Sequence, residues 1–206
     1  MRRLVPKNKD LHGNVPDNCS AALLLVDVLN DLDFPDNSAL VKVAPLLAGN
    51  ISRLKSKCKQ AGIPAIYVND NFGRWRSDLT AVLSNCLRPD SLGARMVAKI
   101  VPEADDYMVL KPKHSIFYAT PLDTLLSYLK TKTIILTGLT TNACILISAS
   151  EIYIRDLQLC VPSDCVAAQS MREHRNALQL MRKSFRADTT PSTQLNLRNL
   201  LRSSEK

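Results

Sequence analysis

Residues 21–28 read AALLLVDV, an apolar run broken only by Asp27. Alternating apolar and polar residues would mark a strand with one wet face. An unbroken run marks a strand buried on both faces, as in a parallel sheet. Outward from this run, short apolar segments recur at 65–69 (AIYVN), 107–110 (YMVL), 133–137 (TIILT) and 157–161 (LQLCV). Helical spacing of apolar residues occupies the intervals. Residues 40–61 predict a helix closed by Gly62 and Pro64. Residues 121–130 predict another, with Thr120 as N-cap and Pro121 at the first helical position. Residues 142–155, 172–184 and 192–202 predict three more, Gly138 is expected to end the fourth strand, and 72–88 reads as loop with a short helix. Strands alternating with helices imply right-handed βαβ units. The expected fold is α/β, a single-domain doubly wound sheet, mostly parallel, with helices on both faces. One domain over residues 1–206 is expected, with residues 1–19 as an N-terminal arm.

The 206 residues are 46% hydrophobic and 22% charged, ordinary values for a globular domain, and the 5% of aromatics implies an aliphatic core. Lys and Arg number 27 against 19 Asp and Glu, a formal charge of +8. Such an excess can serve nucleic acid or anionic surfaces. Here it is scattered: Arg2, Arg3, Lys7 and Lys9 at the start, Lys55, Lys57 and Lys59 on one helix, then arginines and lysines between 172 and 186. No basic run is interleaved with aromatics, so a solvated basic surface is the better reading and no nucleic-acid partner is expected. No apolar stretch is long enough to span a bilayer, and no signal-peptide pattern opens the chain. No membrane partner and a cytoplasmic location follow as expectations. The 6 cysteines form no CxxC pair and no zinc-like spacing, which favours reduced thiols with one available for chemistry.

In open α/β sheets, ligands bind beyond the C-terminal ends of the strands. Asp27, then Asn69 and Asp70, then Lys111, then the segment 138–144 (GLTTNAC) all fall at such ends. Cys144 opens the following helix. A thiol at a helix N-terminus feels the positive end of the macrodipole, which favours the thiolate, and first-turn amides can face an oxyanion. The competing reading is a small buried hydrophobe. Asp27, at the end of an apolar strand, is expected to be desolvated, with a raised pKa suited to carrying a proton. A loop-anchoring aspartate would occupy the same place. Lys111 is placed to hold Asp27 as its anion, and Lys113, just beyond Pro112, competes for that role.

Three segments carry a resemblance to the isochorismatase-like cysteine hydrolase family, which includes nicotinamidases, carbamoylsarcosine amidases and ureidoacrylate amidohydrolases. LLLVDVLNDL (23–32) is similar to the family's strand followed by D-x-x-N-D. KPKHSIF (111–117) is similar to its K-x-x-x-S-x-F motif. LTGLTTNACILISASEIYIRDLQLCVPSDCVAA (136–168) is similar to its L-x-G-x-x-T-[ND]-x-C segment and trailing strand. The resemblance implies a catalytic triad of Asp27, Lys111 and Cys144. It selects Lys111 over Lys113, because Lys111 stands four before Ser115 and six before Phe117. It also implies a cis peptide between Leu139 and Thr140, and an oxyanion hole from the amides of Thr140 and Cys144. The implied activity is hydrolysis of the C–N bond of a small amide, carbamoyl or ureide substrate through a thioester, in a homo-oligomer.

The chain departs from parts of the family pattern. Nicotinamidases build a metal site from an Asp-x-His pair and a further His. The matching segment here, NDNFGRW (69–75), has Asp70 followed two residues later by Phe72, and His12, His114 and His174 lie elsewhere. No metal and no cofactor are expected, and nicotinamide is disfavoured as substrate. Isochorismatases lack the nucleophilic cysteine, so Cys144 disfavours vinyl-ether hydrolysis too. His114 is expected to line the pocket or stand just behind it. Substrate contacts are expected from Asn69, Asp70, Arg74, Trp75 and Phe117, with Trp75 stacking on a planar group and Arg74 pairing with a carboxylate. A catalytically silent binding or regulatory protein on the same fold is the alternative. If Arg74 reads a carboxylate, Arg74→Ala lowers the rate on carboxylate-bearing amides by roughly tenfold or more relative to neutral ones. A substrate panel with unchanged selectivity retires that role.

Overall fold

The computed structural model describes residues 17–73 and 78–202. β1 (Ala21–Val26) is its central strand, and all six residues are wholly buried. β1 pairs in parallel with β2 (Ala65–Asp70) on one side and β4 (Thr133–Leu139) on the other. β3 (Tyr107–Lys111) lies beyond β2 and β5 (Gln158–Cys160) beyond β4, giving the order β3-β2-β1-β4-β5. A two-residue strand, β6 (Val166–Ala167), pairs with the end of β4. Every pairing is parallel, as the apolar runs predict.

The pleat of β1 shows why its sequence does not alternate. Ala21, Leu23 and Leu25 enter one core cluster, and Ala22, Leu24 and Val26 enter the other. The first cluster is closed by α1 (Ser38–Gln60), α2 (Leu79–Cys86) and α3 (Ala94–Val97). The second is closed by α4 (Leu122–Leu129), α5 (Leu146–Ile154) and α6 (Met171–Ser184). On α1, Leu40, Ala44, Leu47, Ile51, Leu54 and Cys58 recur at three- and four-residue steps and are buried. Gly62, at φ +74°, lets the chain leave that helix toward β2. Ser170 caps α6 by accepting the Glu173 amide at 3.2 Å, and Asp78 caps α2 by accepting the Ala81 amide at 2.8 Å. α7 (Leu197–Arg202) ends the described chain. No helix among the described residues is long and apolar enough to cross a membrane.

Several boundaries differ from the sequence expectation, each for a local reason. α4 begins at Leu122, with Pro121 in the cap position, while the Thr120 hydroxyl still accepts from the Leu122 amide at 3.3 Å. The last helix is shorter than expected because Ser192 is held out of it: its amide and hydroxyl both donate to Asp164, each at 2.6 Å. α3 and β6 were not expected, being four and two residues long and so too short for periodicity. Two of the lysines on α1 are paired with carboxylates. Lys55 sits 2.5 Å from Asp106, and Lys59 pairs with Glu103 and with Asp105.

β4 continues through Gly138 to Leu139 rather than ending at the glycine. Gly138 has φ +116° and stands opposite Val26, where an added Cβ would lie 1.9 Å from the Val26 carbonyl oxygen. Any side chain there forces β1 and β4 apart beside the strand ends. Gly138→Ala is therefore expected to lower stability by about 3 kcal/mol or more. A reduced urea midpoint at unchanged m-value checks this.

Candidate active site

The strand order turns at β1. The chain winds outward to β2 and β3 on one side, then crosses to β4 on the other, leaving a crevice beyond the ends of β1 and β4. Asp27 is the residue after β1, at φ +52°, and its amide donates to the Val68 carbonyl at 3.1 Å. Its carboxylate accepts the Asp70 amide at 2.7 Å through Oδ1 and lies 2.8 Å from Lys111 Nζ through Oδ2. Lys111 ends β3, in register with Asp70 of β2. Its long side chain crosses the end of β2 to reach Asp27. The ammonium is wholly withdrawn from solvent, donates to the Lys113 carbonyl at 3.1 Å, and stands 3.7 Å from Cys144 Sγ and 3.6 Å from Asp70 Oδ2.

Cys144 is carried on a π-helical turn, Thr141–Ile145, interposed between β4 and α5. The Leu139–Thr140 peptide entering this turn is cis, as the resemblance implied. The amides of Ala143 and Ile145 both donate to the Thr140 carbonyl at 3.1 Å. Asp27 Oδ2 and Cys144 Sγ flank the same Lys111 ammonium, at 2.8 and 3.7 Å. His114 Nδ1 lies 3.4 Å from the same sulfur. Three groups distant in sequence, Asp27, Lys111 and Cys144, therefore meet at one rim of the sheet.

Burial dominates the protonation of this cluster. It raises the Asp27 pKa above the ordinary carboxylate value, against the opposing pull of Lys111. For Lys111, burial acts downward but is outweighed by Asp27, Cys144 and Asp70, so the ammonium is held charged. The Cys144 thiol is pushed up to about 12, first by burial and then by the negative charge of Asp27, with Lys111 opposing. This corrects the sequence expectation of a thiolate stabilised by a helix terminus. Here the low dielectric and a neighbouring carboxylate outweigh the pull of Lys111, and the resting thiol keeps its proton.

The other expected site residues divide. Asp70 is partly exposed beside Lys111 and accepts the Phe72 amide at 2.6 Å. Asn69 is fully buried: its side chain accepts the Leu29 amide and donates to the Leu29 carbonyl, both at 3.0 Å. It braces the loop after β1 instead of facing a ligand. Phe117 is also buried, with the Arg155 guanidinium 3.9 Å from its ring centre, and so packs in the core beneath Arg155. Arg74 and Trp75 lie outside the described residues. Two contacts were not legible in the sequence. His114 touches the sulfur directly, and His174 Nδ1 lies 3.0 Å from the Thr141 hydroxyl on the turn that carries Cys144. No group of three or more His, Cys, Asp or Glu side chains among the described residues is placed to hold a metal ion.

The chain as a whole is similar to known proteins. The family model described as the isochorismatase domain matches residues 21–194. The isochorismatase family protein YaaI of Bacillus subtilis is 36% identical over 174 residues, covering 84% of this chain and 95% of the relative. The isochorismatase of B. subtilis is 29% identical over 169 residues, covering 80% of this chain and 54% of that longer protein. Among solved structures, the N-carbamoylsarcosine amidase of Thermoplasma acidophilum superposes with a TM-score of 0.67 at 24% identity, covering 86% of this chain and 99% of that one.

The raised thiol pKa has a signed consequence for stability. The folded protein retains the Cys144 proton at pH values where the unfolded chain, with a thiol near 9.0, releases it. The stability this contributes is complete below that value and is lost as pH rises toward about 12. Measured by urea unfolding, wild-type stability relative to Cys144→Ala is expected to fall above pH 9.0, by up to about 1.4 kcal/mol per pH unit. A difference that stays flat with pH contradicts the assignment.

Proposed function

The chain belongs to the isochorismatase family, and on that footing we propose that it is a cysteine hydrolase cleaving the C–N bond of a small amide, carbamoyl or ureide substrate. One observation carries the reading: Lys111 Nζ stands 2.8 Å from Asp27 and 3.7 Å from Cys144 Sγ. A thiol and a proton acceptor gathered around one fixed cation are the parts that nucleophilic acyl transfer requires.

The proton of Cys144 passes to Asp27 as sulfur attacks the carbonyl carbon. Lys111 holds the cluster near neutrality during this transfer. The amides of Thr140 and Cys144 bind the developing oxyanion. The C–N bond then breaks as Asp27 returns the proton to the departing nitrogen. Water cleaves the remaining thioester and frees the thiol. A neutral resting thiol beside a carboxylate of raised pKa suits this sequence, since the raised pKa makes Asp27 a better proton acceptor.

The choice of substrate class rests on the nucleophile. Among the solved structures of this fold, one is an N-carbamoylsarcosine amidase and another a Staphylococcus aureus nicotinamidase. Phe72 two residues beyond Asp70 removes the metal-binding pair of the nicotinamidase pattern, so the reaction is assigned to side chains and backbone amides alone. Substrate contacts are assigned to Asp70, and to Arg74 and Trp75.

The test is ammonia or amine release across a panel of small amides, carbamoyl compounds and ureides. Cys144→Ala is expected to abolish release, and Asp27→Asn to lower kcat by at least about a hundredfold. Wild-type turnover by Cys144→Ala would falsify the nucleophile. No release from any member of the panel favours the silent binding protein instead.

A further inference from the structure

Asp27 is 5% exposed and Lys111 not exposed at all, so the inner two groups of the cluster have little access to solvent protons. His114 approaches the sulfur from outside: the residue is exposed, yet its Nδ1 lies 3.4 Å from Sγ, within hydrogen-bond reach of a thiol. That position is held on both flanks. The preceding residue, Lys113, gives its carbonyl to the Lys111 ammonium at 3.1 Å. The following residue, Ser115, is buried, accepts the amides of Phe117 and Tyr118 at 3.0 and 2.9 Å, and donates to Glu151 of α5. Pro112 stiffens the same turn. A histidine fixed on this turn, exposed to water and touching the nucleophile, is positioned for a proton transfer that buried Asp27 is poorly placed to make.

We propose that His114 is a second catalytic residue, the base that activates water for hydrolysis of the Cys144 thioester. The inference rests on the cysteine-hydrolase reading. In this step the neutral imidazole takes one proton from water as its oxygen bonds to the acyl carbon. The C–S bond then breaks, the carboxylic acid leaves, and the imidazolium proton returns to sulfur as the thiol re-forms. Attack by water and recovery of the thiol balance with no other reactant. Asp27 serves the acylation half and His114 the hydrolytic half. That division places the acid–base group of each half where its proton must come from: the interior for the thiol, the solvent side for water.

Para-nitrophenyl acetate separates the two halves, because its leaving group needs no proton. In wild type a burst of nitrophenolate reports acetylation of Cys144, and the following steady rate reports thioester hydrolysis. His114→Gln and His114→Asn are expected to keep the burst and to lose about a hundredfold or more of the steady rate, with acetyl-enzyme accumulating on Cys144 by mass spectrometry. His114→Asn retains a polar atom near sulfur but cannot carry the proton, so a shared defect identifies proton transfer rather than hydrogen bonding. An unchanged steady rate in both variants overturns the role of His114 while the burst leaves the nucleophile standing. Loss of the burst itself overturns the assignment to the hydrolytic half. A full burst in Cys144→Ala removes the cysteine reading, and this inference with it.

Discussion

Lys111 reaches from the end of β3, past the end of β2, to place its ammonium 2.8 Å from Asp27 beyond β1. Neither charge has appreciable access to water. Taking a lone ammonium or carboxylate out of solvent is costly enough that the group would neutralise instead, and the pair persists because each charge compensates the other. Further bonds complete the satisfaction: Asp27 also accepts the Asp70 amide, and Lys111 donates to the Lys113 carbonyl. The pair joins the ends of three strands at one point. Removing either partner strands a buried charge, at a cost of about 3–5 kcal/mol. The arrangement is thus a structural clamp on the sheet rim as well as the electrostatic setting of the thiol.

Everything nearby serves to bring sulfur to that clamp. Gly138 lets β4 press against Val26 at a distance that no side chain permits, and the π turn then presents Cys144 over the end of β1. The consequence is electrostatic. A thiol inside this cluster faces a carboxylate on one side and an ammonium on the other, in a medium that disfavours separated charge. Burial and Asp27 prevail, and the proton stays on sulfur.

A second ring of contacts keeps these groups from drifting. Asn69 locks the loop after β1 through both polar atoms of its amide. Ser115 ties the lysine turn to Glu151 on α5, the helix that follows the cysteine turn. Arg155, at the end of that helix, covers Phe117 and pairs with Asp123 of α4 at 2.8 Å. Residues four and six positions beyond Lys111 therefore act through the position of the turn. His114, between Lys111 and Ser115, is carried on the same turn.

The order of elements, the parallel sheet and the rim on which chemistry falls were legible in the linear chain. Hydrophobic continuity at 21–26 and helical spacing on α1 are local consequences of which faces must be dry, and they survive into the structure unchanged. The identity of Asp27, Lys111 and Cys144 as candidates was legible too, because strand ends are countable along a sequence. Other features required three dimensions. The state of the thiol depends on total burial and on a carboxylate more than a hundred residues earlier, so local helix-terminus reasoning gave the wrong sign. The withdrawal of Asn69 and Phe117 into packing, and the contacts of His114 with Cys144 and of His174 with Thr141, join residues from separate elements. Local side-chain pattern determines which element forms and which face it buries. Distances between side chains on different elements, and the dielectric around them, exist only once the sheet has closed its helices around it.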